Sequence, residues 1–153
     1  MKLFFFDCGT RDPLASTGVL ILRASIGLMM FCGHGLAKFQ NFDKLKDAWA
    51  VPAIWPLSYM SPPVSLMATI GAELFAAALI VVGIATRPAA FVLGFAMCVA
   101  AFQVSGEKWF LPAANAKEPA VLYLIACFAI IITGAGQWSM DAFVQIEKRR
   151  RRR

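Results

Sequence analysis

"RASIGLMMFCGHGLAK", Arg23 to Lys38, is an apolar stretch that nonetheless carries an Arg, a His and a Lys. On an α-helix Arg23 and His34 lie eleven residues apart, three turns, and Lys38 follows His34 by four. The three therefore share one stripe with Gly27 and Met30. What that stripe does depends on the solvent around the helix, and composition decides it. Of the 153 residues, 59% are hydrophobic and the mean hydropathy is +0.66, against roughly 45–50% apolar in soluble domains. The apolar residues come in blocks, over 17–36, 63–85, 88–104 and 119–137. Each is close to the about 17–25 residues needed to span hydrocarbon. A soluble helix of that length would show a polar face. The chain reads as an all-α integral membrane four-helix bundle, one domain over residues 1–153, with no room for a separate soluble domain.

With four spans the termini share a side with the tight Thr86-Arg87-Pro88 connection. That side holds Lys2, Arg11, Arg87, Lys148 and Arg149 to Arg153. The other holds Lys38, Lys44, Lys46, Lys108 and Lys117, interleaved with Asp43, Asp47, Glu107 and Glu118. The positive-inside rule predicts that both termini are cytoplasmic. "MKLFFFDCGTRDP" is too short an apolar run for a cleaved signal and reads as an interfacial arm, with Phe4, Phe5 and Phe6 dipping inward. The basic tail 147–153, "EKRRRRR", sets most of the net charge of +6. It reads either as a nucleic-acid or anionic-lipid binding segment or, in the favoured reading, as a topology anchor on an anionic leaflet. A nucleic-acid partner is not expected, since no aromatic interleaving accompanies the arginines.

Helix one runs outward on this topology, with Arg23 in its inner half and His34 and Lys38 near the outer surface. A charge at that depth costs at least about 2.5–3.5 kcal/mol and faces the bundle interior or a wet cavity. Glu73, set among Gly71, Ala72, Ala76, Ala77 and Ala78 in the second block, is the expected partner of Arg23. Such a pair either fixes how helices one and two pack or belongs to a polar cavity for a headgroup, a proton or a quinone. His34 and Lys38, with Glu118 from the start of helix four, read either as interfacial anchors or as a site for an anion or a quinone carbonyl. Gly33 and Gly35 beside His34 admit close backbone approach. For Glu118, an acid before Pro119 also suits a helix N-terminus on its own. The expected ligand-binding set is His34, Lys38, Glu73 and Glu118, within a mouth also lined by Gly35, Trp49 and Trp109. A single histidine excludes a multi-histidine metal site within one chain.

Cys32, Cys98 and Cys127 come to similar depths in the outer half, which permits a cluster, but no C-x-x-C is present. Buried cysteine also serves as a small hydrophobe. "GHG" and "GAG" lack the strand-to-helix setting of a phosphate loop. The outer loop, 40–60, reads as amphipathic, with Phe42, Leu45 and Trp49 at helical spacing opposite Lys44 and Asp47, and with Trp55 and Tyr59 in an aromatic belt.

"LRASIGLMMFCGHGLAKF", then "GAELFAAALIVVGIATRPAA", then "GAGQWSMDA" resembles the DoxX family of small bacterial four-helix membrane proteins. The elements are Arg23; His34-Gly35 with Lys38; Glu73 among small residues; Gly83 with Thr86-Arg87; and Gly134 through Ala142. The resemblance runs from helix one to Ala142. It implies a multi-pass protein of the bacterial cytoplasmic (inner) membrane with a redox-associated role, in thiosulfate:quinone or thiol-linked oxidoreduction, and no transferable catalytic motif. Three readings follow: a membrane subunit of a quinone-linked oxidoreductase, a non-catalytic anchor or accessory subunit with a protein partner, and a carrier for protons or lipids. The sequence shows no ligand set for flavin, haem or metal, so electrons would come through a partner or a quinone. That favours the first two.

Overall fold

The computed structural model describes residues 8–10, 12–105, 108–110 and 116–150, the last three by backbone alone. The helices are α1 (Pro13–Gln40), α2 (Phe42–Leu45), α3 (Pro62–Val82), α4 (Thr86–Val104), α5 (Glu118–Thr133) and α6 (Met140–Arg150), with a 3₁₀ turn at Leu57–Tyr59. No strand occurs among the described residues. Helices α1, α3 and α4, of 28, 21 and 19 residues, are long and apolar enough to cross a membrane. Helix α5, of 16 residues, is a shorter apolar companion. The expected all-α membrane bundle is what the chain forms.

Local chemistry sets the boundaries. Asp12 caps α1 by accepting the Ala15 N–H at 2.7 Å, and Pro13 occupies the first turn, where a missing N–H costs nothing. Span one therefore starts before the expected Thr17 and runs past Leu36. Prolines also open α3 and α5. Helix α3 stops at Gly83, whose φ of +79° favours glycine, so the second span is shorter than expected. Gly134 (φ +80°) and Gly136 (φ +76°) end α5 at Thr133, where the sequence reading continued the span to residue 137. In the outer loop only Phe42–Leu45 and the 3₁₀ turn are helical, so the amphipathic pattern does not continue as a helix to Trp49. The basic tail begins inside α6.

Small residues bring the helices together, as packing without a hydrophobic drive requires. A Cβ on Gly27 would stand 2.9 Å from the Ala77 carbonyl oxygen, and one on Gly35 would stand 2.9 Å from the Glu73 carbonyl. Helices α1 and α3 are thus antiparallel, with Gly35 level with Glu73. Met30, Ile80, Leu93, Met97, Cys127 and Ile130 form the centre of the core. Large apolar side chains such as Ile21, Phe75, Phe91, Leu122 and Ile132 are left exposed around the outside, the surface that a bilayer covers.

The α3–α4 turn, residues 8–10 and the start of α6 meet at one end, here the hairpin end. The Asp141 N–H donates to the Gly83 carbonyl at 2.9 Å, and the Gly136 N–H to the Cys8 carbonyl at 2.7 Å. Cys8 is buried there, so the end of the N-terminal arm is tucked into the bundle; Phe4, Phe5 and Phe6 lie outside the described residues.

Candidate functional site

Arg23, 1% exposed, does not pair with Glu73. Its Nη1 donates to the carbonyls of Ile80 and Val81, each at 3.1 Å, and its Nη2 donates to the carbonyl of Trp138. Asp141 acts on it as a charge of opposite sign, without a direct ion pair. Helix register explains the correction. Glu73 is level with Gly35, and Arg23 lies twelve residues from Gly35, about 18 Å along the axis. A guanidinium cannot cover that. Gly83 is the residue opposite Arg23, and a Cβ there would collide with the guanidinium and approach Ser139 Cβ to 2.7 Å. We expect Gly83→Ala to destabilise the fold by at least about 1–2 kcal/mol from its left-handed φ alone, with the collision in addition. Thermal unfolding in detergent checks this.

Asp141 holds the hairpin end together. One carboxylate oxygen accepts the Ala85 N–H at 2.9 Å, and the other accepts the Thr86 N–H at 3.0 Å and the Thr86 hydroxyl at 2.9 Å. The carboxylate thereby caps α4 from the start of α6. Ser16 Oγ accepts the Gln137 N–H at 3.2 Å, and the Arg87 guanidinium reaches the Ile132 carbonyl at 3.4 Å. Arg23, Gly83, Thr86, Arg87 and the Gly134–Ala142 segment thus form one structural lock.

At the other end, the loop end, Lys38 bridges to both carboxylate oxygens of Glu73. Lys38 lies one turn beyond Gly35, and a helical side chain leans back toward the N-terminus, which brings its ammonium to Glu73. The carboxylate is almost fully buried, whereas the Lys38 side chain keeps 20% of its exposure. The ammonium also stands 5.7 Å from the Trp49 ring centroid, a cation–π distance.

This pair borders a cavity of about 360 Å³, within the roughly 300–1,000 Å³ of small-ligand sites. Its wall includes His34, Lys38, Trp49, Ser65, Thr69, Glu73, Met30, Met97 and Tyr123. The helices around it are locally widened. Phe31–Gly35 in α1, Gly71–Ala76 in α3 and Ala100–Val104 in α4 are π-helical turns. Such turns insert a residue and re-aim side chains, often at functional sites. His34 and Tyr123 meet edge to face, 5.8 Å between centroids at 84°. Neither makes a hydrogen bond to another described residue. The loop crosses this region on fixed points: the Ser65 hydroxyl donates to the Ala50 carbonyl at 2.8 Å, and the Ala53 N–H donates to Gln103 Oε1 at 2.8 Å.

The structure brings together His34, Lys38, Glu73 and Trp49 of the expected set. Glu118, Gly35 and Trp109 do not line the cavity. Glu118 opens α5, its N–H bonded to the Trp109 carbonyl at 3.0 Å, and the next residues, Pro119 and Ala120, face the cavity instead. Gly35 is spent on backbone packing against Glu73. Sequence reading missed Tyr123, Ser65 and Thr69, and held Asp141 only as part of the family pattern. Ser65, Thr69 and Glu73 recur every four residues, a polar stripe that was available as a signal. The cysteines do not cluster: Cys127 is in the core, while Cys32 and Cys98 are exposed.

The family profile described as DoxX matches residues 18–106, more than half of the chain. A Haemophilus influenzae protein described as uncharacterized is 32% identical over 115 residues, covering 73% of this chain and 80% of the relative. No solved structure matches the chain. The matched region contains both helices of the Lys38–Glu73 bridge and most of the cavity wall, and on these grounds the chain belongs to the DoxX family.

Proposed function

We propose that this membrane protein is a redox-associated subunit that binds a quinone headgroup in the loop-end cavity, within a thiosulfate- or thiol-linked oxidoreductase system of the bacterial cytoplasmic membrane. The observation that supports the reading is the meeting of His34 and Tyr123, neither hydrogen-bonded to another described residue, beside the apolar side chains of Met30, Met97 and Trp49 on a wall that also carries Lys38, Ser65, Thr69 and Glu73. A quinone needs donors for its carbonyls and an apolar slot for its ring. Lys38 and Glu73 neutralise each other beside that slot, which suits an uncharged ring. A bound quinone supplies two-electron, two-proton chemistry; the chain's own residues orient it and exclude lipid.

Both termini are cytoplasmic in this proposal, so the cavity opens toward the outer leaflet. A cysteine introduced at Asp47 in a cysteine-free variant should react with an impermeant thiol reagent added outside, and one at Gln145 should not. The reverse labelling would invert the orientation.

The central test is quinone content of the purified protein together with binding of a quinone analogue. Each of His34→Ala and Tyr123→Phe removes one hydrogen bond and should weaken binding about tenfold. Unchanged affinity in both would end the quinone reading.

A second reading is supported by the loop. Ile54, Trp55 and Tyr59 are exposed at 42%, 76% and 83% on a non-spanning segment, a surface suited to a protein partner. On this reading the chain is an accessory or anchoring subunit. Purification from native membranes separates the two, since bound quinone without a partner would sink the anchor reading.

A further inference from the structure

Ser65, Thr69 and Glu73 follow one another by single turns on α3 and border the cavity from the crossing loop to the Lys38 bridge, about 12 Å along the axis. Where their protons go decides what this wall can recognise. The Ser65 hydroxyl donates to the Ala50 carbonyl at 2.8 Å, and the Thr69 hydroxyl donates to the Ser65 carbonyl at 2.9 Å. A hydroxyl has one proton and two lone pairs, so both are left as acceptors. Glu73 accepts from Lys38 with both oxygens, and an ionised carboxylate still has lone pairs beyond such a bridge. The Lys38 ammonium is taken up by that carboxylate and by the Trp49 ring. These three side chains of α3 therefore accept hydrogen bonds and give none to the cavity. His34 from α1 and Tyr123 from α5 differ, since a neutral imidazole and a phenol can each donate or accept.

We infer, resting on the quinone reading above, that the loop-end cavity distinguishes the oxidation states of its ring and selects the hydroquinone over the quinone. A quinone carries two carbonyls and no proton. His34 or Tyr123 can serve one carbonyl, and the other finds only the acceptors of α3. A hydroquinone of the same outline carries two O–H groups, one for the His34–Tyr123 side and one for Thr69 or Glu73. Both forms fill the same apolar slot, so they differ by one hydrogen bond against one unmet acceptor. That difference is worth about tenfold in affinity. Tighter binding of the reduced form by tenfold raises the midpoint of the bound couple by about 30 mV. A ring held in the cavity then takes up electrons more readily than one free in the bilayer.

The test uses the full chain in detergent under anaerobic conditions, with decylubiquinone and decylubiquinol as probes and equilibrium dialysis as the readout. Wild type should bind the quinol about tenfold more tightly than the quinone. The dimethyl ether of the quinol, which keeps the reduced ring and loses both protons, should bind no better than the quinone. Thr69→Val removes one acceptor at nearly constant shape and should bring the quinol-to-quinone ratio toward one, whereas Thr69→Ser should keep it. A quinone bound by wild type as tightly as the quinol overturns the selectivity and leaves the quinone reading in place. An ether bound as tightly as the quinol assigns the preference to shape and overturns the acceptor wall, as does a ratio that survives unchanged in Thr69→Val. If wild type binds neither form, the quinone reading falls and the selectivity falls with it.

Discussion

Lys38→Met is expected to lower stability in detergent by about 3–5 kcal/mol, because it strands a buried carboxylate. Glu73 is 3% exposed and has both oxygens on the Lys38 ammonium. The reciprocal change, Glu73→Leu, should cost clearly less. Lys38 is partly exposed at the loop end, and a long ammonium stem can swing toward water when released. Combining Lys38→Met with Glu73→Leu should restore much of the loss, since replacing both members of a buried pair by apolar groups is often close to neutral. A double-mutant cycle read by thermal unfolding therefore shows strong coupling between Lys38 and Glu73. Arg23 and Glu73 should be additive to within about 0.5 kcal/mol. Additivity of the Lys38 and Glu73 changes would refute the bridge.

The second large effect belongs to Asp141. Asp141→Ala removes the acceptor of two backbone N–H groups and the Thr86 hydroxyl, and also a negative charge that acts on Arg23. We expect a loss of about 3–5 kcal/mol, since three part-buried donors lose their acceptor at roughly 1–3 kcal/mol each. Asp141→Asn divides the effect. An amide oxygen still accepts from the turn, so capping survives in part while the charge is lost. If the asparagine variant is as stable as wild type, Asp141 acts as a cap alone and the guanidinium is held by carbonyls. Arg23→Met adds the complementary arm: its loss should overlap with that of Asp141→Ala, because both changes remove the same charge interaction.

The helices were legible because four long apolar blocks have few alternatives in a chain of 153 residues. Their ends were less so. Gly134 and Gly136 sit inside a run that hydropathy alone extends, and only their positive φ shows that α5 has finished. The ionisable residues of the site were equally visible, and His34, Lys38 and Glu73 do meet at one cavity. Their pairing was not legible. Depth along a span can be counted from a sequence, but register between two helices is set by where backbones touch, here at Gly27 and Gly35. The π-helical turns have no composition signature, and they decide which side chains reach the cavity. Tyr123 was hidden for a simpler reason. One aromatic in "AVLYLIACFAIII" reads as lipid-facing bulk until a neighbour such as His34 is placed beside it.

The carbonyl cradle around Arg23 has a bearing on how the protein is made. Its third oxygen comes from Trp138, 115 residues later in the chain. During synthesis the first span enters the membrane with a guanidinium whose final partners are not yet translated. Insertion and maturation are therefore separate events for this chain: the spans can be threaded in order, but the fold is sealed only when the last segment returns to the first. A nascent chain halted before Trp138 holds an unfinished bundle, and this is the species on which membrane quality control would act.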